Sequence, residues 1–219
     1  MKKHKERWLV LGSIFALILV AAGYFFQVQA FLPHQRIQII LPFDSKHDAG
    51  MTLIPMGETI FHPKPQVPKG HPGIDFGSRV DYQVISSSDG TVTRLTHGSS
   101  DGIDVYVSSG VYNLVYKEMD ESKLAVKKGQ KVKKGEAIGY PNPKMGGDGS
   151  YHYQVHWEFA SASVLLDRFC PINFFTPESK TRIEAIWANV KPTDFNNMKQ
   201  KFPNICSGDY AGAEELDKP

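Results

Sequence analysis

Apolar residues follow three patterns along the chain, and each pattern predicts a different kind of element. Residues 8–26 form an apolar run without a charged residue, which predicts a helix. From residue 51 to about residue 171, short apolar or alternating runs are separated by turn signals, a pattern typical of β-strands. Over residues 178–190, apolar residues recur at helical spacing. The pattern therefore predicts an all-β domain between an N-terminal helix and a short helical C-terminal extension.

Individual strands can be placed within the β region. Ser109-Gly110 separates two apolar runs, residues 103–108 and 111–119, which predicts a hairpin. Strict alternation in the second run would place Tyr116 and Glu118 on one face. Residues 152–159 alternate in the same way. Their predicted polar face consists of His152, Gln154, His156 and Glu158, and their apolar face of Val155, Trp157 and Phe159.

The N-terminal run carries the features of a targeting or anchoring segment. A basic stretch, residues 2–7, precedes the apolar residues 8–26, and Val28-Gln29-Ala30 resembles a cleavage site. Residues 8–26 are just long enough to span a bilayer. Two interpretations remain open: an uncleaved anchor in the inner or cytoplasmic membrane, or a signal peptide cleaved after Ala30. Both predict export, because the basic flank stays cytoplasmic. The expected location is the cell envelope, facing the periplasm or exterior, or outside the cell after cleavage.

Charge and cysteine content narrow the possibilities. The net charge is only +2. A nucleic-acid binder needs a clustered basic face, and the best candidate for one, residues 127–134, is interpreted as a solvated hairpin. No nucleic-acid partner is therefore expected. The two cysteines, Cys170 and Cys206, can form a disulfide in an exported protein, with two buried thiols as the alternative. The predicted division is a signal segment, a linker, a β domain and a helical extension, at residues 1–30, 31–50, 51–175 and 176–219.

Three polar residues from two remote segments suggest a metal site. His71 and Asp75 lie four residues apart around Gly73, and His156 lies in a predicted strand. Two imidazoles and one carboxylate suit a tetrahedral zinc ion that keeps its fourth position for water. The alternative is that the three residues are satisfied separately by hydrogen bonds. The first interpretation predicts a metal-dependent hydrolase or the remnant of one.

Three segments resemble the lysostaphin/LytM-type zinc metallopeptidases, which cut peptide bonds in bacterial peptidoglycan. They are His71-Pro-Gly-Ile-Asp75-Phe76, the segment from Val132 to Tyr140, and His156-Trp-Glu-Phe159. The resemblance implies an antiparallel β-sandwich of the duplicated hybrid-motif type with an open groove. It also implies one zinc ion per chain, held by His71, Asp75 and His156, and peptidoglycan as the partner.

The chain departs from the family at two catalytic positions. The family has a histidine two residues before the last ligand, where this chain has Gln154, and another histidine where this chain has Glu118. A carboxamide orients water but cannot accept a proton at neutral pH. One interpretation makes Glu118 the general base, with Gln154 or Tyr116 donating to the oxyanion and His152 as a substitute imidazole. In the other, the site binds zinc but hydrolyses poorly or not at all.

These observations lead to one expected function and two alternatives. The first is an exported zinc metalloendopeptidase that remodels the cell wall. The second is a catalytically impaired zinc-binding scaffold or regulator of cell-wall hydrolysis. A lipoyl- or biotinyl-like carrier, suggested by the turn at Val132 to Gly135, is disfavoured by export. Glu158 is expected to orient an imidazole or a backbone amide, with surface exposure as its alternative, and His62 is at most a lining residue of the groove.

Overall fold

A computed structural model of the protein describes residues 12–22, 37–63, 66, 69–98, 102–146, 149–162, 168–191 and 196–210. Residues 12–22 form helix α1, with exposed apolar side chains such as Phe15 and Leu17. Across these described ranges, no helix combines the length and apolar character needed to cross a bilayer. The remainder of the predicted apolar run and the predicted cleavage site at Ala30 lie outside the described residues.

Antiparallel strands dominate the described part of the chain, as the sequence pattern predicts. The strands are β1 (Thr52–Ile54), β2 (Ile74–Ser78), β3 (Val84–Ile85), β4 (Gly90–His97), β5 (Ile103–Ser109), β6 (Tyr112–Met119), β7 (Lys131–Val132), β8 (Ala137–Gly139), β9 (Pro143–Met145) and β10 (Tyr151–Ser161). Eight of these form one sheet in the order β1-β2-β10-β6-β5-β4-β7, with β9 also paired to β10. Strands β3 and β8 pair separately.

Strand β10 joins the two halves of the large sheet, because it lies between β2 and β6. Its apolar face is as predicted: Val155, Trp157 and Phe159 are at most 1% exposed and belong to the hydrophobic core. Alternation along a strand sends the intervening side chains to the opposite face. Gln154, His156 and Glu158 are therefore directed away from this core.

The predicted alternation in β6 is wrong at its end because of a β-bulge. Two residues of β6, Lys117 and Glu118, lie opposite the single Asp104 of β5. Glu118 also has a positive φ of 65°. Tyr116 is fully buried instead of facing a groove, and its hydroxyl accepts a hydrogen bond of 2.7 Å from the Ser87 amide. Because of the bulge, the side chains of Tyr116 and Glu118 do not share one face of the strand. The expectation that Tyr116 lines a groove is therefore wrong.

Residues 31–50 were predicted to be a linker, and this prediction is wrong for part of the described stretch, residues 37–50. Ile39, Leu41 and Phe43 are fully buried in the core. The Ile39 amide donates to the Phe174 carbonyl at 2.9 Å, which anchors this segment to the C-terminal part of the chain. Every second residue of this short stretch is apolar, a period of two that suits a buried extended segment despite the neighbouring prolines.

The C-terminal extension contains the predicted helix. Helix α2 (Pro177–Asn189) begins after Thr176, whose hydroxyl accepts from the Ser179 amide, and buries Ile183, Ile186 and Trp187. Proline at the first helical position and a hydroxyl cap are typical helix start signals. A one-turn helix, α3 (Met198–Lys201), follows.

A disulfide between Cys170 and Cys206 holds the end of this extension against the β domain. Next to it, the Met56 amide donates to the Ile205 carbonyl and the Ser207 amide donates to the Met56 carbonyl, both at 2.9 Å. The following Gly57 amide donates to the His71 carbonyl at 2.8 Å. The disulfide therefore supports a ladder of backbone hydrogen bonds that ends at His71.

Replacing Gly57 with alanine should destabilise the protein more than the same change at Gly129. Both glycines have positive φ, +83° and +86°, a conformation that costs alanine about 1–2 kcal/mol. Only at Gly57 would a Cβ meet a neighbour, the Ser207 carbonyl oxygen at 1.9 Å, whereas nothing lies within 4 Å at Gly129. This clash should add about 1–3 kcal/mol to the loss of unfolding free energy. Chemical denaturation of both variants measures the difference; equal losses would contradict the close packing of the C-terminal segment.

Candidate metal centre

Adjacent strands bring His71, Asp75 and His156 together. Asp75 in β2 and His156 in β10 are direct register partners, and His71 precedes β2 by three positions. Asp75 Oδ1 lies 3.1 Å from His71 Nε2 and 2.7 Å from His156 Nδ1, and the two nitrogens are 2.9 Å apart. All three residues are buried. The three atoms are close enough for one cation to contact all of them.

The remaining nitrogen of each histidine is held by an acceptor. His71 Nδ1 lies 3.0 Å from the Pro55 carbonyl oxygen, and His156 Nε2 lies 3.0 Å from Glu158 Oε1. Carbonyl and ionised carboxylate oxygens only accept hydrogen bonds, so both of these nitrogens carry the proton in neutral rings. The lone pairs of the opposite nitrogens, His71 Nε2 and His156 Nδ1, then point into the cluster. Two such imidazoles and a carboxylate are a donor set that fits zinc.

Gly73 is required by the close approach of β10. A Cβ at this position would lie 2.4 Å from the Trp157 carbonyl oxygen and 3.0 Å from His156 Nε2. Any larger residue would push β2 and β10 apart and separate Asp75 from His156. Gly73, which lies between the candidate ligands His71 and Asp75, therefore allows the strand that carries His156 to pack closely.

Ionic contacts set the charges around the cluster. Burial alone raises the pKa of Asp75, but the two histidines lower it well below its usual range. Burial lowers the pKa of His156, but Asp75 and Glu158 raise it to about 9. Burial also raises the pKa of Glu158, while His156, Lys117 and Arg168 lower it far more. Glu158 thus has the orienting contact expected for it and is only 2% exposed.

The metal-free protein should lose stability as the pH rises from about 6.5 to about 9. The folded-state pKa of His156 is about 9, above the unfolded value of about 6.5, so its contribution is complete below the unfolded pKa and disappears through the folded pKa. Thermal unfolding in a chelator, measured across this range, checks the trend. Saturating zinc should suppress it, because a metal-bound imidazole stays neutral. A melting temperature of the chelated protein that rises with pH would contradict the charge assignment.

An open cavity of about 320 Å³ lies beside the cluster. It is lined by Ile54, Phe61, His62, Asp75, Glu118, Gln154 and His156. Gln154 Nε2 donates to Asp75 Oδ2 at 3.1 Å and to Glu118 Oε2 at 3.3 Å. Lys144 Nζ donates to the same Glu118 oxygen at 2.5 Å. Glu118 and Gln154 therefore line one wall, and Lys144 is an ion-pair partner that the sequence did not suggest.

Two sequence candidates lie away from this wall. Tyr116 is in the core, as described above. His152 pairs with Lys144 in the β9–β10 ladder and is not among the cavity-lining residues of the described chain. It precedes His156 by four strand positions, about 13 Å along β10. The structure therefore does not support His152 as a substitute imidazole.

His62 of the cavity lining belongs to an imidazole–carboxylate pair that the sequence did not indicate as a unit. Glu58 is fully buried, and its Oε1 contacts His62 Nδ1. Glutamate four residues before a histidine is the only signal of this pair in the sequence, and such spacing is common. His62 stacks on His71 with ring centroids 4.1 Å apart and an interplanar angle of 15°.

Glu58, His62 and His71 form a second group with donor atoms within 4.8 Å of one another. The lone pairs of an imidazole lie in the ring plane. The nearly parallel rings of His62 and His71 therefore direct their lone pairs side by side, not toward one point. Both nitrogens of His71 already have other partners, the Pro55 carbonyl oxygen and Asp75 Oδ1. The second group is therefore not a separate metal site.

An antiparallel β domain with an imidazole–carboxylate–imidazole cluster in an open cavity has the features of a metal-dependent hydrolase. Residues 69–167, somewhat under half of the chain, match the model of peptidase family M23. The match covers both segments that contain candidate metal ligands and confirms the resemblance to the lysostaphin/LytM-type peptidases. A search of curated proteins found no match.

Several solved structures resemble the chain at low identity. A chain of the SpoIIQ–SpoIIIAH pore-forming complex is 22% identical, with 68% of this chain and 98% of that chain covered and a TM-score of 0.48. Helicobacter pylori Csd3 is 24% identical, with 69% and 40% covered and a TM-score of 0.45. Lysostaphin is 21% identical, with 57% and 51% covered and a TM-score of 0.43.

Proposed function

We propose that this protein is an exported zinc metallopeptidase that hydrolyses peptide bonds in bacterial peptidoglycan. The observation that carries the proposal is the convergence of His71 Nε2, Asp75 Oδ1 and His156 Nδ1, with both remaining ring nitrogens held by acceptors. An open cavity on one side of the cluster leaves room for a peptide. The match to peptidase family M23 supports the reaction class.

Residues of this chain would divide the work as follows. His71, Asp75 and His156 hold zinc, which when bound acts as a Lewis acid toward a carbonyl and makes water a stronger nucleophile. Gln154, fixed between Asp75 and Glu118, orients the attacking water. Glu118 holds Gln154 and Lys144 in place at the cavity wall. Ile54 and Phe61 present the apolar part of the wall to the substrate.

The proposal includes the location and organisation of the chain. Residues 8–26 would direct export, as an anchor or as a signal peptide cleaved after Ala30, and place the peptidase in the cell envelope. The peptidase domain would extend from about residue 51 to 175 and adopt the duplicated hybrid-motif sandwich. Residues 176–219 would form a C-terminal extension. The burial of Ile39, Leu41 and Phe43 supports including part of the predicted linker, residues 31–50, in the peptidase domain.

Digestion of purified peptidoglycan tests this function. The zinc-loaded protein should release new amino groups, and mass spectrometry of the products identifies the cleaved bond. The matched control is protein treated with chelator and then restored with zinc. Stoichiometric zinc without turnover on several chemically different cell walls would contradict the peptidase proposal.

A non-catalytic scaffold or regulator on the same fold is the second candidate. It is favoured by the ion pair between Glu118 Oε2 and the Lys144 ammonium. Glu118 was expected to act as the general base, and this ion pair engages its carboxylate. Changing Gln154→His and Glu118→His together would then create activity that the wild-type protein lacks. An active wild-type protein would exclude this candidate.

A further inference from the structure

We propose that His62 is a catalytic residue of this site, and that Glu58 is its positioning residue. His62 Nε2 would accept a proton from the attacking water and deliver it to the leaving amine. This inference rests on the proposed peptidase function and supplies a proton acceptor where Gln154 has none and the Glu118 carboxylate is engaged by Lys144.

Glu58 is built to orient an imidazole. Its side chain is fully buried. Oε2 accepts hydrogen bonds from the backbone amides of Ile60 at 2.7 Å and Phe61 at 3.1 Å, and Oε1 contacts His62 Nδ1. A buried carboxylate that is fixed by two amides offers its remaining oxygen in one direction only. The loop therefore presents a preformed acceptor to one nitrogen of His62.

This contact selects one tautomer of His62. A carboxylate is acceptor-only, so the proton of a neutral His62 lies on Nδ1 and the lone pair lies on Nε2. The side chain is 28% exposed and lines the same cavity as Asp75, Gln154 and His156. Stacking on His71 holds the ring beside the candidate ligands without making it a ligand. Nε2 is therefore the ring nitrogen available to accept a proton within the cavity.

The other wall of the cavity is less suited to this role. Gln154 has a carboxamide, which does not accept protons at neutral pH. Oε2 of Glu118 already accepts from Lys144 and Gln154, so an arriving proton would compete with an ammonium and an amide. On His62, by contrast, the Glu58 carboxylate beside Nδ1 stabilises the imidazolium that forms when Nε2 takes the proton.

The proposed step conserves atoms and charge. A water O–H bond breaks, its proton binds His62 Nε2, and the water oxygen forms a bond with the carbonyl carbon of the peptide. The C–N bond then breaks, and His62 returns the proton to the amine nitrogen. The products are one carboxylic acid and one amine, and His62 ends in its starting form.

Two variants of His62 test the role. His62→Gly removes the imidazole, and His62→Phe keeps a ring that can stack on His71 but has no nitrogen. With zinc content equal to that of the wild type, kcat should fall about 10²–10⁴-fold with little change in KM. Free imidazole should restore part of the activity of His62→Gly but none of His62→Phe. Glu58→Gln should bind zinc and show a smaller loss of kcat.

His97→Ala is the matched control. His97 also pairs with a glutamate, Glu121 at 3.8 Å, but both side chains are exposed, 71% and 63%, and lie outside the cavity lining. This variant should keep wild-type turnover and zinc content. A loss equal to that of the His62 variants would reveal a general effect of removing an imidazole and overturn the assignment.

Nitrogen NMR of the zinc-loaded protein provides a readout apart from activity. The ring of His62 should show a protonated Nδ1 and an unprotonated Nε2, and Glu58→Gln should remove that preference. A His62 ring protonated on Nε2 would overturn the proposal. So would zinc-loaded His62 variants with kcat within about threefold of wild type, or loss of zinc in both variants, which would assign His62 to metal support. A wild-type protein without turnover would instead overturn the peptidase function, and the His62 role would fall with it.

Discussion

Replacing Asp75 with alanine should abolish zinc binding and turnover together. Asp75 Oδ1 is the centre of the cluster, since it contacts His71 Nε2 and His156 Nδ1 at 3.1 and 2.7 Å. Without it, two neutral imidazoles would face a divalent cation with no anionic ligand. We expect zinc affinity to fall by far more than the about 10–100-fold that loss of an outer hydrogen bond costs.

Zinc content after dialysis and the dissociation constant from chelator competition measure this effect. Asp89→Asn is the control, because Asp89 is an exposed carboxylate whose side chain is 65% accessible, paired with Lys133. Its removal should leave zinc content unchanged. Full occupancy by zinc in Asp75→Ala would contradict the assignment of the metal centre, whatever the fold of the variant.

Removing the disulfide should have the second large effect, on stability first and on zinc affinity as a consequence. Cys170 and Cys206 are separated by 36 positions, and opening a loop of this size costs about 4 kcal/mol by the chain-entropy relation. For a protein of this length the melting temperature should fall by about 10 °C. The Cys170→Ser and Cys206→Ser double variant, melted beside the oxidised protein, measures the loss.

The effect on zinc follows from the ladder of backbone contacts. Ile205 and Ser207 bracket Met56, and the adjacent Gly57 is hydrogen-bonded to the backbone of His71. When the C-terminal segment detaches, His71 loses part of its support, so zinc affinity should weaken even in protein that remains folded. Wild-type protein treated with a thiol reductant should reproduce both changes. Unchanged melting and unchanged zinc affinity would mean that the extension folds without supporting the site.

Local sequence patterns predicted much of the fold because they report short-range periodicity. The alternation in residues 152–159 correctly assigns Val155 and Trp157 to the core. The helical spacing after residue 177 gives helix α2 with nearly the observed limits. The same reasoning fails at Tyr116, because a bulge opposite Asp104 interrupts the alternation, and a bulge depends on the neighbouring strand.

Part of the candidate site was likewise predictable from the sequence, and part of it required the folded structure. Residue type and motif spacing suggested the imidazoles of His71 and His156 and the carboxylate of Asp75, because a metal-binding donor set is chemical information that a sequence carries directly. Spacing could not suggest Lys144, which reaches Glu118 only through the pairing of β9 with β10. Glu58 and His62 also required the structure, because burial of Glu58 and stacking of His62 on His71 are properties of the folded loop.

The sequence by itself determined the β character of the domain, the candidate ligand types and the family resemblance, since these depend on residue identity and on neighbours along the chain. Only the tertiary structure decided the direction of Glu118, the burial of Ile39, Leu41 and Phe43, and the contact of the disulfide-linked segment with the loop before His71. Each of these depends on the register and packing of strands that are distant in sequence. A cavity wall is assembled from such distant pieces, so its chemistry becomes visible only when the chain is folded.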